Sequence, residues 1–176
     1  TTLILFTKNA ESGIKLGMKK FTRDLPLVFF SIVFYCSFIQ AQTISSQEKK
    51  IVDYVDANTE NAISLLEKAV NIESPTEDVE GVKNVGMLFK KEFESIGFAS
   101  KWLDMPAEMK RGGHLLAENK GKQGKRLLLL GHIDTVLRGE KFRREENRAY
   151  GTGSSDMKAG NVVLFFVLKA LYASGA

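Results

Sequence analysis

Apolar side chains recur at helical spacing between Ser45 and Gly97, fall into short runs between Phe98 and Leu130, and dominate nearly every position from Ala159 to the end. Ser45-Ser46-Gln47-Glu48 offers an N-cap with an acid in the first turn. The spacing then predicts a helix with Ile51, Tyr54 and Val55 on one face. Asn58-Thr59-Glu60 breaks or restarts it, and Ile63, Leu65, Leu66, Ala69 and Val70 carry the pattern to about Ile72. Ser74-Pro75-Thr76 ends the segment, because proline disfavours helical backbone at the residue before it. Thr76 is expected to cap the next helix, with Val79 as a packing residue near its start and Val82, Val85, Leu88, Phe89, Phe93 and Ile96 as its buried stripe. Gly97 is its stop.

Phe98–Leu103 reads as a strand, and His114–Glu118 as a second one after the turn signal Gly112-Gly113. Lys120–Gly124 is a polar, hairpin-type connection. Arg126–Leu130 reads as a third strand, and its four consecutive leucines predict burial on both faces, as at the centre of a covered sheet. Lys141–Tyr150 is a charged stretch suited to a β-ribbon. Ala159–Ala173 is apolar nearly all round and is predicted to be a buried helix. Helices, then strands, then a helix point to an α/β sandwich. There is no internal repeat and no low-complexity tract.

Composition adds a boundary to this picture. The 176 residues suffice for one ordinary domain, and 44% apolar with 26% charged residues suits a packed core rather than a disordered chain. The net charge of +4 is uneven. Residues 1–41 hold five Lys/Arg against two Asp/Glu, so they carry +3 of it and the remainder is near neutral. A clustered basic face, which nucleic-acid binding needs, is absent from the pattern. Arg138, Lys141, Arg143 and Arg144 are interleaved with Glu140, Glu145 and Glu146 and read as a solvated surface. The one cysteine, Cys36, excludes a disulfide framework or a thiolate zinc site within one chain.

Met18-Lys19-Lys20 and Arg23, the apolar stretch Leu25–Ile39, and Ala41 as a small cleavage residue form the pattern of a secretory signal peptide. About fifteen apolar residues are short of the roughly twenty that span a bilayer. Ile39 is bulky for its place two residues before Ala41, which leaves an uncleaved anchor as an alternative. Phe34-Tyr35 are too bulky for a lipoprotein signal before Cys36. The expected organisation is therefore translated upstream sequence over 1–17, a signal over 18–41, and the N-terminal part of a catalytic domain over 42–176. A periplasmic or secreted location follows, without stable membrane association after cleavage.

The chemistry concentrates in two segments. His132 and Asp134 follow the leucine run, and in extended backbone residues i and i+2 project to one side. The Asp134 carboxylate is thus expected to accept the second imidazole N–H and to aim the other nitrogen at a metal. Alone, the pair also fits a satisfied histidine beside a capping Asp-Thr turn. About twenty residues later, Gly151 and Gly153 allow close backbone approach, and Asp156 stands before the apolar helix. Alone, Asp156 also fits an ordinary N-cap. Two such segments in this order, each joined to an apolar element, favour the metal-site reading.

Gly131-His132-Ile133-Asp134-Thr135-Val136, with Gly151-Thr152-Gly153-Ser154-Ser155-Asp156-Met157-Lys158-Ala159-Gly160, resembles the dizinc aminoacylase/carboxypeptidase family of zinc-dependent exopeptidases. Within that family it is most like the glutamate carboxypeptidases of the carboxypeptidase G2 type. The likeness extends from about Ser45 to the end and takes in Ser74-Pro75-Thr76 and the Phe142 to Tyr150 stretch. The family commonly has proline where this chain has Thr152, and glycine where it has Ala159. The resemblance implies a three-layer α/β/α sandwich, incomplete in this chain. It implies that His132 ligates one zinc, that Asp134 is the catalytic-site carboxylate orienting His132, and that Asp156 bridges two Zn2+ ions. It further implies a cis peptide bond at Asp156-Met157.

The reaction so implied is hydrolysis of an amide bond next to a free carboxylate, releasing a C-terminal Glu-like residue. Two cations lower the pKa of a bridging water from ~15.7 towards ~7. A glutamate takes its proton and returns it to the leaving nitrogen. That glutamate, the remaining ligands and a dimerisation domain are expected beyond Ala176, so little activity and weak zinc binding are expected of residues 1–176. The expected partners are a peptide or N-acyl amino acid substrate and, for a full-length protein, a second copy. The alternatives are a deacylase of the acetylornithine or succinyl-diaminopimelate type, or a non-catalytic binding domain that keeps the shell of the site. Glu145-Glu146 precedes Asp156 and is read as surface, His114 as structural, and Trp102, Phe89 and Phe93 as core.

Overall fold

The computed structural model describes residues 44–121 and 127–175. The signal segment, Cys36 and most of the connection at 120–124 lie outside the described residues. The expected Ser45 cap is present. Its hydroxyl accepts from the Glu48 N–H while the Glu48 carboxylate accepts from the Ser45 N–H, closing a capping box ahead of α1, Ser46–Ala57. Asn58 separates α1 from α2, Thr59–Asn71. Helix α3 spans Val79–Ser95, and its cap corrects the sequence reading: Asp78, not Thr76, accepts the Gly81 N–H at 2.9 Å. Asp78 is the residue directly before the helix, whereas Thr76 lies two residues upstream and its hydroxyl donates to Asp134.

Strands β1, Ala99–Leu103, and β2, His114–Glu118, pair antiparallel with Leu103 opposite His114 and Ala99 opposite Glu118. Helix α3 packs on both. The charged stretch forms the expected ribbon, β3 (Arg143–Glu145) against β4 (Arg148–Tyr150). It docks on α2 through the paired Arg144–Glu60 contacts at 2.7 and 3.1 Å, and through the Phe142 N–H donating to Asn71 Oδ1 at 2.9 Å. An irregular turn, Ser154–Lys158, leads into α4, Ala159–Ser174.

Leu65 and Ala69 of α2, Val85 and Phe89 of α3, and Val162, Phe165 and Phe166 of α4 form one core. Phe93 is partly buried against it, with its ring edge-on to Phe165 at 5.4 Å. Trp102 lies outside the main core, half-buried with its ring against Gly86 of α3 and its indole N–H donating to Asp104 Oδ1. Helix α4 departs from the expectation of full burial. Val162, Phe165, Phe166 and Ala170 are buried, whereas Val163, Val167 and Tyr172 are exposed.

The third strand is the main correction. Residues 127–130 form no strand, and Leu127, Leu128 and Leu130 are 84%, 78% and 78% exposed. A central strand needs hydrogen-bonded neighbours at both edges and a covering layer on each face. Among the described residues neither β1–β2 nor β3–β4 extends alongside 127–130. The α/β class stands, with an incomplete sandwich in which α2, α3 and α4 hold the core.

Candidate metal centre

Two loops meet at the site. The first, residues 131–135, follows the leucine run and is gripped by the Ser74-Pro75-Thr76 segment through a parallel bridge between Pro75 and Thr135. The Thr135 N–H donates to the Ser74 carbonyl at 2.8 Å, and the Thr76 N–H donates to the Thr135 carbonyl at 3.1 Å. The Ser74 hydroxyl donates to the Ile133 carbonyl at 2.9 Å. Ser74, Pro75 and Thr135 are buried, so water does not compete strongly for these bonds. From the other side, Asn161 of α4 donates to the His132 carbonyl at 2.6 Å.

The second loop needs backbone that only glycine adopts easily. Gly151 and Gly153 have φ of 141° and 74°. A side chain at Gly153 would run into the Thr135 methyl group, so the two loops touch here without room for a Cβ. Thr152, where the family commonly has proline, makes use of what proline lacks. Its N–H donates to the Glu140 carbonyl and its hydroxyl accepts the Glu140 N–H, both at 3.0 Å. The helical turn then breaks at Asp156 and Met157, which are joined by a cis peptide bond as the resemblance implied. Behind the loop, Lys158 is 1% exposed and donates from Nζ to the Ile72 carbonyl at 2.7 Å.

Together the loops place His132 Nε2 2.9 Å from Asp156 Oδ1. The other ring nitrogen, Nδ1, lies 3.0 Å from the Asp134 backbone carbonyl and 3.3 Å from Asp134 Oδ1. The expected role of Asp134 is thereby amended: its backbone oxygen is the nearer acceptor and its carboxylate the second. The backbone at 131–134 is not part of a strand and brings the Asp134 carbonyl to the ring, which side-chain alternation along an ideal strand does not anticipate. Partial burial opposes charging of the ring. The bond from Asp156, the bond from the Asp134 carbonyl and both carboxylate charges together outweigh it, so His132 titrates above its ordinary value.

An imidazole that donates from both nitrogens must be protonated. A cation on the Nε2 lone pair would replace that proton. Imidazole nitrogen and carboxylate oxygen are donors that zinc accepts, so these two residues fit the implied group in kind. They do not complete it. Among the described residues, no group of three or more His, Cys, Asp or Glu side chains is placed to hold a metal ion. A cavity of about 380 Å³ adjoins His132, with Thr76, Asp134, Arg111, Gly113 and His114 also in its lining. Glu145 and Glu146 lie in the exposed ribbon.

Residues 128–176, which hold both loops, match the family model described as peptidase family M20/M25/M40. Over this segment the chain is similar to that peptidase family. Carboxypeptidase G2 of Pseudomonas sp. (strain RS-16) is 37% identical to it over 142 residues, 77% of this chain and 34% of that protein. A putative LysW-lysine/LysW-ornithine hydrolase of Pyrococcus furiosus is 34% identical over 109 residues, 62% of this chain and 30% of that protein. A putative succinyl-diaminopimelate desuccinylase of Mycobacterium tuberculosis is 35% identical over 65 residues, 36% of this chain and 18% of that protein. The chain thus spans about a third or less of the curated relatives it matches. In fold it is similar to a solved structure of the di-peptidase Dug1p from Saccharomyces cerevisiae, with a TM-score of 0.63 at 20% identity over 74% of this chain and 32% of that one.

Three groups around the site carried no site role in the sequence reading. Thr76 reads as a helix cap, Lys158 stands only within the second motif, and nothing local marks Asn161. Ser74-Pro75-Thr76 already stood out as a helix stop, but nothing local indicates which loop it will grip fifty-eight or so residues later.

Proposed function

We propose that the protein of which this chain forms the start of the catalytic domain is a metal-dependent hydrolase acting on an amide next to a free carboxylate, of the glutamate carboxypeptidase type. The reading rests on one observation: His132 Nε2 and Asp156 Oδ1 converge at 2.9 Å across two loops that belong to the matched family segment. In this reading His132 and Asp156 hold Zn2+ in a two-ion centre, and Asp134 orients His132. When bound, such ions polarise the amide carbonyl and acidify water. With its proton on Nδ1, where Asp134 accepts the bond, His132 would offer the Nε2 lone pair to the cation in place of the Nε2–Asp156 contact. The glutamate that moves the proton and the other ligands are assigned to sequence outside residues 1–176. The relatives, a carboxypeptidase and a putative desuccinylase among them, support amide hydrolysis and leave the acyl and side-chain preference between them.

Zinc titration followed by 15N NMR of the imidazoles tests the ligands. The chain has two histidines, so the His132 signals are assignable against His114. Zn2+ is expected to shift His132 in the wild type and to leave it unmoved in Asp156→Asn. An unchanged response in Asp156→Asn would remove Asp156 as a ligand. No turnover of an N-acyl glutamate is expected from the purified 176-residue chain; brisk turnover would contradict the placing of the remaining ligands outside it. We also propose export, supported by the charge and apolar pattern of residues 18–41, with cleavage after Ala41 as the outcome that N-terminal sequencing of the expressed protein should show.

A further inference from the structure

We propose that Thr76 is a positioning residue of this site: its hydroxyl clamps the Asp134 carboxylate and thereby sets the imidazole of His132. The inference rests on the metal-site reading above and assigns the part of the site that lies behind it.

The Thr76 hydroxyl has one proton and two acceptors in reach, Asp134 Oδ2 at 2.7 Å and the Thr135 carbonyl at 3.4 Å. The shorter distance and the charged acceptor both favour Asp134. With Oδ2 taken, the other carboxylate oxygen, Oδ1, is the one left facing His132 Nδ1 at 3.3 Å. Free of the clamp, the carboxylate could rotate about its side-chain bonds and turn towards solvent, since Asp134 is about a third exposed. The clamp itself cannot drift. Thr76 belongs to a segment whose neighbours Ser74 and Pro75 are buried, and its own N–H is tied to the Thr135 carbonyl. Ile72, just upstream, is tethered through its carbonyl by the buried ammonium of Lys158. Lys158 in turn sits two residues after Asp156, so both loops are referred to the same short stretch, 72–76.

The consequence is chemical. A free neutral imidazole favours a proton on Nε2, the nitrogen a cation would need. Here two acceptors, the Asp134 carbonyl and carboxylate, draw the proton to Nδ1, against the pull of Asp156 Oδ1 at 2.9 Å on Nε2. The carbonyl is part of the loop backbone, whereas the carboxylate contributes only while it is aimed. Thr76 is the group that aims it. A serine in its place keeps the hydroxyl; a valine keeps the shape and loses it.

The test compares Thr76→Val with Thr76→Ser in the full 176-residue chain, with Asp134→Ala alongside. The readouts are the 15N shifts of His132, which report the proton's place on the ring, and the apparent affinity for Zn2+ alone by NMR titration. In the wild type and in Thr76→Ser the neutral ring should carry its proton on Nδ1. In Thr76→Val the Nε2-protonated form should grow, and Zn2+ affinity should fall by about 10-fold or more, the lower end of what losing a ligand's supporting partner costs. Circular dichroism shows whether Thr76→Val keeps the fold; should it unfold, Thr76→Ala and the wild-type-like behaviour of Thr76→Ser carry the comparison. Loss in Thr76→Val and Thr76→Ser alike would assign Thr76 a packing role and overturn the proposal. So would a Thr76→Val chain that matches wild type while Asp134→Ala loses the Nδ1 proton; that result would leave the metal site standing. If wild type and Asp134→Ala show the same tautomer and neither responds to Zn2+, the metal-site reading fails and this inference with it.

Discussion

At the scale of single residues, buried polar groups decide what this site is. Lys158 is the plainest case. Burial presses its ammonium down from the usual lysine range to about 8, partly offset by the charge of Glu73 and reinforced by Lys141. The sign of the effect on stability follows. The folded state binds the proton less tightly than the unfolded chain, so the unfolded chain holds more protons between about 8 and 10.5, and stability should rise with pH across that window. Denaturant unfolding of the wild type and of Lys158→Met at several pH values checks this; the rise should vanish in the variant, and a flat wild-type profile would count against the depressed value. The candidate residues His132, Asp134 and Asp156 are legible in sequence because a His-x-Asp after an apolar run and an acid following a glycine-rich turn are visible in one dimension. The roles of Thr76 and Asn161 are not, since each acts on a group far along the chain.

Elements obeyed local rules where local energies dominate. The capping box at Ser45 and Glu48, the helical periods and the β-ribbon all formed as their patterns predict. The cap of α3 is Asp78, the residue directly before the helix, while the Thr76 hydroxyl serves a tertiary partner. Asp78→Ala should therefore lower stability by about 1 kcal/mol, the ordinary cost of a lost N-cap bond. Chemical denaturation measures it, and a loss of similar size in Thr76→Ser would contradict the assignment. The leucine run shows the opposite limit. Its composition calls for a strand with neighbours on every side, but a strand is a relation between segments, and none among the described residues lies beside residues 127–130.

For the molecule as a whole, the consequence is an apolar surface. Leu127, Leu128 and Leu130, with Val136 and Leu137, stand exposed in one stretch of chain. Such a run, rich in apolar residues and free of proline, is a site for self-association. The purified chain is expected to associate with rising concentration, and Leu128→Lys with Leu130→Lys to shift it towards monomer in analytical ultracentrifugation; a strictly monomeric wild type would refute this. Sequence alone determined the α/β class, the helices, the likeness of the two loops to a known family and the residue types of the candidate site, because each depends on periodicity or on chemistry carried by neighbours in the chain. Tertiary structure alone decided that His132 and Asp156 meet, that Asp134 offers its backbone before its carboxylate, and that the leucines lie open. Those outcomes depend on which distant backbone groups claim each donor, and a hydrogen bond between residues 76 and 134 leaves no local signal at either end.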